Sequence, residues 1–268
     1  MLSCVGKEWR YFLLAIGFFT RIPVPTFVDF QEYELNYSVK YFPLIGIIVG
    51  LAGAIIFYFT GLVFPQAIAV LTSMAATIYL TGAFHEDGLA DSADGIGGGW
   101  QREQMLTIMH DSRLGTYGAM ALFFILFAKF QTLNGMYPTF VVMLLIAGHA
   151  LSRLCALWVM ATANYVKSTG KAKPLATQIS ASHLMLASVF GLLPFFTIIG
   201  LLIYSHHTFL VIIKFVLMTV LPMLVSWFWW RNKLIKNLGG YTGDALGATQ
   251  QITELVFYLG ALAWSMRI

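Results

Sequence analysis

Residues 42–64 read FPLIGIIVGLAGAIIFYFTGLVF and contain no charged side chain. A helix of about 20 apolar residues crosses the roughly 30 Å hydrocarbon layer of a bilayer. Lipid offers no partner to a bare backbone amide, so such a stretch must satisfy its hydrogen bonds within a helix. The stretch therefore predicts a membrane-spanning helix.

The composition of the chain points the same way. Of its 268 residues, 59% are hydrophobic and 10% are charged, whereas a soluble domain carries about a quarter charged residues. This composition excludes a soluble enzyme, a disordered scaffold and a secreted disulfide framework. The two cysteines, Cys4 and Cys155, lie far apart and are expected to be free thiols. We therefore expect one integral membrane domain over 1–268.

Six further stretches are predominantly apolar and long enough to span a bilayer, which predicts an all-α, polytopic membrane protein with about seven transmembrane helices. The predicted spans are about 42–64, 66–83, 117–133, 139–161, 183–204, 208–230 and 250–266. A shorter apolar segment, 11–20, lies between basic residues and predicts an interfacial or re-entrant helix near the N-terminus.

The basic residues predict the orientation of these spans. Twelve of the sixteen lie in 1–41, 84–116, 162–182 and 231–249, and only Arg267 lies in a segment on the other side. Because basic loops stay in the cytoplasm, the N-terminus and these four segments are expected on the cytoplasmic side of the inner membrane. The net charge of +4 follows from this topology, so no nucleic-acid partner is expected. The twelve are Lys7, Arg10, Arg21, Lys40, Arg102, Arg113, Lys167, Lys171, Lys173, Arg231, Lys233 and Lys236.

The acidic residues are concentrated in the segment 81–95, TGAFHEDGLADSADG, which follows the second span. Asp87, Asp91 and Asp94 share one face if this segment is helical. Such close carboxylates repel one another unless a shared proton or a cation neutralises them. Oxygen ligands favour Mg²⁺ or Mn²⁺ over zinc, and such an ion commonly also binds substrate phosphates. The alternative is a solvated acidic turn.

Two further polar motifs are predicted on the same side. In 110–118, HDSRLGTYG, the guanidinium of Arg113 suits phosphate oxygens, Asp111 could complete a metal site, and His110 is a candidate base. The alternatives are a positive-inside arginine and a helix-end histidine.

The second motif, 237–247, reads NLGGYTGDALG. Its small and polar residues could cradle a phosphate at the start of a helix, with Asp244 as a further carboxylate. An N-capping Thr or Asp is the competing interpretation. The candidate phosphate-binding residues are Gly239, Gly240, Thr242 and Gly243.

Three charged or titratable residues within spans, Lys129, His149 and Arg153, are expected to face the protein interior. Arg153 could reach a phosphate or an acid of the site, and a structural partner is an equal alternative. Lys129 and Lys214 are expected toward the opposite face, where a long side chain can extend to the interface.

These motifs resemble the cobalamin synthase family, the adenosylcobinamide-GDP ribazoletransferases. The resemblance covers 19–25 (FTRIPVP), 42–46 (FPLIG), the acidic segment 85–95, the segment 110–116, and 239–247. Several motifs in the same order are far more specific than a lone glycine pattern. Glu86 stands where the family pattern has an apolar residue, and Tyr241 stands where it has Gln.

The resemblance implies a Mg²⁺-dependent reaction at the cytoplasmic membrane. Adenosylcobinamide-GDP and α-ribazole, or its 5′-phosphate, would give adenosylcobalamin, or its 5′-phosphate, and GMP. The ribazole 5′-hydroxyl is expected to attack the phosphorus next to the cobinamide arm. A homo-oligomer or a complex with other corrinoid enzymes stays open.

The site residues follow from the same resemblance. Metal ligands would be drawn from the acidic residues Asp87, Asp91, Asp94, Asp111 and Asp244. Arg113, helped by Arg153, would balance phosphoryl charge, and a spare carboxylate, His85 or His110 would take the proton.

Two other functions compete. A CDP-alcohol phosphotransferase has a comparable acidic loop, but its motif has Ala-Arg where Ala90 is followed by Asp91 here. A transporter or channel would place its site near the middle of the membrane on broken helices, whereas these acids lie at one surface.

Overall fold

The computed structural model describes residues 4–25, 28, 32–166 and 177–267. Within them every regular element is a helix, which confirms the all-α class, and the one extended pairing is a parallel bridge between Tyr165 and Tyr241. The helices are α1 (Cys4–Phe19), α2 (Leu35–Ser38), α3 (Phe42–Gly61), α4 (Gln66–Thr81), α5 (Phe84–Gly98), α6 (Arg102–Met109), α7 (Thr116–Asn134), α8 (Pro138–Thr162), α9 (Ala181–Tyr204), α10 (Phe209–Leu238) and α11 (Gly243–Ser265).

Several helices are long and apolar enough to cross a membrane, which makes this a multi-pass membrane protein. By length and composition five described segments qualify: Leu35–Gly61, Thr116–Asn134, Pro138–Thr162, Ala181–Tyr204 and Phe209–Leu238. A sixth qualifies if α4 and α5 are counted as one bent span. Five or six described spans compare with the predicted count of about seven. The helix α4 has only 16 residues, and α11 carries polar side chains in its middle.

The break between α4 and α5 corrects the predicted span 66–83. Gly82 and Ala83 adopt left-handed backbone conformations, with φ of 67° and 58°. Glycine takes this conformation without steric cost and commonly ends a helix. The chain turns by 86° here, and α5 then leaves in a new direction.

Two of the predicted cytoplasmic segments are largely helical. The segment 84–116 forms α5 and α6, and 231–249 is divided between the end of α10 and the start of α11, leaving only four residues between those helices. Polar residues beyond the hydrocarbon can continue a helix, so the ends of the apolar runs did not mark the ends of the helices. Lys167, Lys171, Lys173 and Asp29 lie outside the described residues.

Small residues allow the helices to approach one another closely. Gly46 and Gly50 of α3 lie against the backbone of α8, and Gly260 of α11 lies against the backbone of α10. Gly88 of α5 and Gly247 of α11 lie at the crossing of those two helices. These contacts hold the acidic helix α5 against α11.

The predicted N-terminal helix is present but longer than 11–20. The helix α1 packs its apolar face, which includes Leu14 and Ala15, into the core. Two ion pairs join it to the segment before α3: Arg10 with Glu34 at 2.9 Å, and Lys40 with Glu8 at 2.6 Å. With 16 residues, α1 is shorter than the helices that qualify as spans.

Candidate active site at the junction of α5 and α11

The acidic face of α5 meets the first turn of α11. Asp87 is exposed and Asp91 is half-buried, and they lie one helical turn apart. A Cβ atom on Gly88 would lie 2.7 Å from the carbonyl oxygen of Asp244, so glycine is needed for this close approach. The junction therefore brings Asp244 beside the segment that carries Asp87 and Asp91.

Asp94, the third predicted carboxylate, has a different environment. Its two oxygens accept hydrogen bonds from the backbone amides of Gly115, at 2.8 Å, and Gly118, at 2.9 Å. These amides belong to the N-terminal end of α7, where a negative charge is stabilising. Asp94 is only 8% exposed. Asp94 therefore anchors α7 to α5, and its predicted role as a metal ligand stays a prediction.

Asp111 and Arg113 bind each other in the loop between α6 and α7. The Nε of Arg113 lies 3.0 Å from Oδ1 of Asp111, and a second guanidinium nitrogen lies 2.6 Å from Oδ2. These hydrogen bonds lower the pKa of Asp111 to about 2. The carboxylate of Asp111 thus faces Arg113, and the role of Asp111 in a metal site with the α5 carboxylates stays a prediction.

His110 is exposed, and its Nδ1 lies 2.6 Å from the carbonyl oxygen of Leu106. A carbonyl oxygen can only accept a hydrogen bond, so Nδ1 must carry the hydrogen and Nε2 is the acceptor atom of the neutral ring. His110 therefore has a nitrogen that can accept a proton.

In the described residues, no three His, Cys, Asp or Glu side chains lie close enough to hold a metal ion together. Mg²⁺, however, is usually held by one or two carboxylates, with waters and substrate phosphates completing its shell. The carboxylates of Asp87 and Asp91, with Asp244 nearby, fit that donor set. They do not form a closed metal cage.

The glycine-rich motif before α11 forms a helix end, a short bridge and a helix start. Gly239 ends α10 with φ of 77°, and Gly240 lies against the carbonyl group of Asn164. The hydroxyl of Thr242 accepts a hydrogen bond from the amide of Ala245 at 3.2 Å, which confirms the capping alternative. Tyr241 is fully buried, and its hydroxyl donates to the carbonyl oxygen of Thr177 at 3.0 Å. Phosphate binding by this motif stays a prediction.

A buried ionic network lies inside the helix bundle, where sequence reasoning placed few polar groups. Lys129 of α7 donates to Glu254 at 2.9 Å and to Gln251 at 2.7 Å, both on α11. His149 of α8 lies 3.3 Å from the other oxygen of Glu254. Glu254 is about 16 Å along α11 from Gly243, at a rise of 1.5 Å per residue. Lys129 is therefore buried and does not extend to the interface, contrary to the expectation from the sequence. Lys214 is exposed.

The network continues to the acidic helix. Gln251 donates to Glu86 of α5 at 2.9 Å, and Gln250 donates to Glu254 and Ser152. Glu86, which departs from the family pattern, thus links α5 to α11. The sequence held a signal for this network, because the polar residues 250, 251 and 254 share one face of a helix.

Arg153 belongs to the protein interior and not to the exposed site. It is 1% exposed, donates to the carbonyl oxygen of His149 at 2.9 Å, and lies over the ring of Phe42 at 5.5 Å. The expectation that Lys129, His149 and Arg153 face the interior is confirmed. Arg153 was expected either to reach a phosphate or an acid of the site or to have a structural partner, and the structure supports the structural partner.

Three buried polar atoms near the start of α5 have no hydrogen-bond partner among the described residues: His85 Nε2, Glu86 Oε2 and Arg153 Nε. The ring of His85 stacks on Phe42 with a centroid distance of 5.8 Å. His85 is 2% exposed. It lies two residues before Asp87, so it points to another side of α5.

The fold and the site together define a multi-pass helical membrane protein whose charged groups form an exposed acidic junction and a buried ionic network. The family model described as cobalamin-5-phosphate synthase matches residues 11–262. The chain belongs to this family, which confirms the resemblance of its motifs.

Curated relatives match nearly the full length of the chain, and each is named adenosylcobinamide-GDP ribazoletransferase. The protein from Ralstonia pickettii (strain 12J) is 42% identical over 98% of this chain and 99% of its own. The one from Shewanella amazonensis is 43% identical over 98% and 99%, and the one from Vibrio parahaemolyticus is 41% identical over 97% and 95%. No solved structure gives a significant match to this chain.

Proposed function

We propose that the chain is an adenosylcobinamide-GDP ribazoletransferase. It transfers the cobinamide phosphoryl group of adenosylcobinamide-GDP to α-ribazole, or to α-ribazole 5′-phosphate, in the last steps of vitamin B12 biosynthesis. The products are adenosylcobalamin, or its 5′-phosphate, and GMP. The observation that carries this proposal is the junction of α5 and α11 in a chain of this family, where the backbone of Asp244 lies against Gly88, between the exposed Asp87 and the half-buried Asp91.

The atom balance decides which hydroxyl attacks. When the acceptor is α-ribazole 5′-phosphate, its 5′-oxygen already carries the phosphate that remains in the product. The nucleophile is therefore a secondary hydroxyl of the ribose and not the 5′-hydroxyl expected above. This hydroxyl oxygen forms a bond to the phosphorus next to the cobinamide arm, the bond to the GMP oxygen breaks, and the hydroxyl proton passes to a base.

We assign the binding of Mg²⁺ to Asp87 and Asp91, with Asp244 beside them. When bound, the ion would neutralise charge on the pyrophosphate and stabilise the leaving oxygen. The carboxylates of Asp87 and Asp91 would hold it at the surface of α5, where a polar pyrophosphate can approach from water. Asp94 contributes by fixing α7, and with it the loop that carries Arg113, relative to these carboxylates.

Arg113 and His110 complete the proposed machinery. The guanidinium of Arg113 is 86% exposed and is oriented by Asp111, which leaves donors available for phosphate oxygens. His110 is the better candidate base than His85, because its acceptor nitrogen lies on an exposed ring whereas His85 is buried. A base must lie within hydrogen-bond reach of the proton that it removes.

We further propose that the protein lies in the cytoplasmic membrane with its N-terminus and the helices α5 and α6 facing the cytoplasm. The uneven distribution of basic residues supports this orientation. The nucleotide substrate would then meet the acidic junction on the side of the membrane where nucleotides are made.

The test is product formation by the purified protein in lipid nanodiscs. Wild type given adenosylcobinamide-GDP, α-ribazole and Mg²⁺ should release GMP, and it should release no CMP from a CDP-alcohol pair of substrates. Asp91→Asn should abolish turnover, because one of the two α5 carboxylates at the proposed metal site is lost. Glu103→Gln, which changes an exposed carboxylate on α6, is the matched control and should keep wild-type activity. Full Mg²⁺-dependent activity in Asp91→Asn would contradict the assignment.

A further inference from the structure

A small enclosed cavity lies directly behind the acidic junction. It is bounded by α1, α2, α3, α5, α8 and the first turns of α11, and its free space of about 20 Å³ is enough for roughly one water molecule. Phe84 and His85 of α5 and Gly243 of α11 line it. The cavity therefore borders the same two segments that carry the proposed metal-binding carboxylates.

Five aromatic rings surround this cavity, and we call them the aromatic box: Phe18, Phe19, Phe42, Phe84 and His85. Phe19 stacks on Phe42 with a centroid distance of 4.1 Å, and Phe42 stacks in turn on His85. Phe84 meets Phe18 and His85 edge to face, at 5.7 and 5.5 Å. Such rings offer flat apolar faces and edges to a planar guest.

The box contains one unsatisfied polar atom. His85 Nε2 is buried and has no hydrogen-bond partner among the described residues. An unpaired polar group in an apolar site is costly, so a native protein usually satisfies it with water or a ligand. A suitable guest is therefore mostly apolar, planar and able to form one hydrogen bond.

We propose that the aromatic box is the subsite for the base of the nucleoside acceptor, an inference that rests on the proposed function. The base of α-ribazole is a fused aromatic ring with a single free ring nitrogen, which matches four phenyl rings and one imidazole nitrogen. The hydrogen bond joins this ring nitrogen to His85 Nε2. Guanine does not suit the box, because its several donors and acceptors would be left unpaired. A lipid acyl chain would leave His85 unpaired.

The position of the box suits the reaction. Gly243, which lines the box, precedes Asp244, and the backbone of Asp244 lies against Gly88 of α5. The side chains of His85 and Asp87 point to different sides of α5, so the ribose of a base held in the box would have to extend past the start of α11 to reach the carboxylates. A fused ring is larger than the present free space, so the outer wall must open when it binds. Phe18 and Phe84 are the half-buried members of the box, and they form that wall.

The first experiment measures binding of α-ribazole to the purified protein in nanodiscs by equilibrium dialysis, without Mg²⁺ and without the corrinoid substrate. His85→Leu should weaken binding roughly 5- to 100-fold, because the ring nitrogen of the base loses its partner. His85→Gln, which keeps a hydrogen-bonding group, should recover part of the affinity. Phe18→Leu and Phe84→Leu should each weaken binding about 2- to 10-fold through lost ring contacts.

Matched controls lie outside the box. Phe123→Leu on the exposed side of α7 and His207→Gln between α9 and α10 should bind α-ribazole as wild type does. In steady-state kinetics the box variants should raise the KM for α-ribazole and leave the KM for adenosylcobinamide-GDP unchanged. If His85→Leu does not fold, Phe18→Leu at its half-buried position carries the test.

Two outcomes would overturn the inference. One is wild-type affinity for α-ribazole in both His85→Leu and Phe18→Leu. The other is a lipid that copurifies with wild type and is lost from these variants while α-ribazole binding persists. Failure of the proposed function gives a different result from failure of this inference. In that case wild type itself would neither bind nor convert α-ribazole.

Discussion

Asp94 shows how one carboxylate can hold two helices in place. Both of its oxygens accept hydrogen bonds from amides at the start of α7, and a side chain on either Gly115 or Gly118 would collide with it. The next carboxylate toward the N-terminus, Asp91, belongs to the proposed metal site. Within one motif, Asp91 is thus proposed to bind the metal, and Asp94 positions α7.

Replacing Asp94 should therefore affect stability as well as activity. Asp94→Ala leaves two amides unpaired at a helix start and should lower the free energy of unfolding by about 1–3 kcal/mol. Asp94→Asn keeps one acceptor oxygen and should lose less. Thermal unfolding of the purified variants in nanodiscs measures the difference. Unchanged stability in Asp94→Ala would contradict the anchoring role.

At the scale of elements, the network between α7, α8 and α11 joins charges that are distant in the sequence. Lys129 and Glu254 are separated by 125 residues and lie 2.9 Å apart. Removing one charge from a buried pair leaves the other uncompensated, which is strongly destabilising, whereas removing both is often tolerated. The network also reaches α5 through Gln251 and Glu86, so it fixes how the acidic helix lies on α11.

A double-mutant comparison tests this network. Lys129→Met should destabilise the protein by about 3–5 kcal/mol, since Glu254 is left buried without its strongest cationic partner. The double variant Lys129→Met with Glu254→Gln should recover most of the loss. Chemical denaturation of the three proteins in the same detergent gives the comparison. A double variant that is as unstable as the sum of the single variants would contradict the pairing.

The helices also show which features of the fold could be predicted from the sequence. The apolar runs predicted the helical class and most spans, because the requirement for about 20 apolar residues is local. Gly82 is a local signal for the end of α4, but the direction in which α5 leaves goes with its packing on α11, and no local pattern reveals that contact. The pairing of Asp94 with the start of α7 likewise depends on tertiary contacts, and so does the burial of His85.

At the scale of the whole molecule, the protein combines an apolar bundle with one exposed acidic junction. The ionic network and the aromatic box lie behind that junction, so the membrane-embedded part supports the surface where a charged substrate would bind. The motifs singled out Asp87, Asp91 and Asp244 as candidate metal ligands, because this chain has few acidic residues and most of its aspartates lie in these motifs. The same reasoning did not predict that the carboxylate of Asp111 pairs with Arg113.

The most direct test is Mn²⁺ binding, followed by electron paramagnetic resonance on the purified protein in nanodiscs with adenosylcobinamide-GDP present and α-ribazole absent. Wild type should bind Mn²⁺ at the α5 carboxylates, and Asp91→Asn should bind it at least about tenfold more weakly. Glu103→Gln should match wild type. Equal Mn²⁺ affinity in wild type and Asp91→Asn would contradict the claim that these aspartates hold the ion.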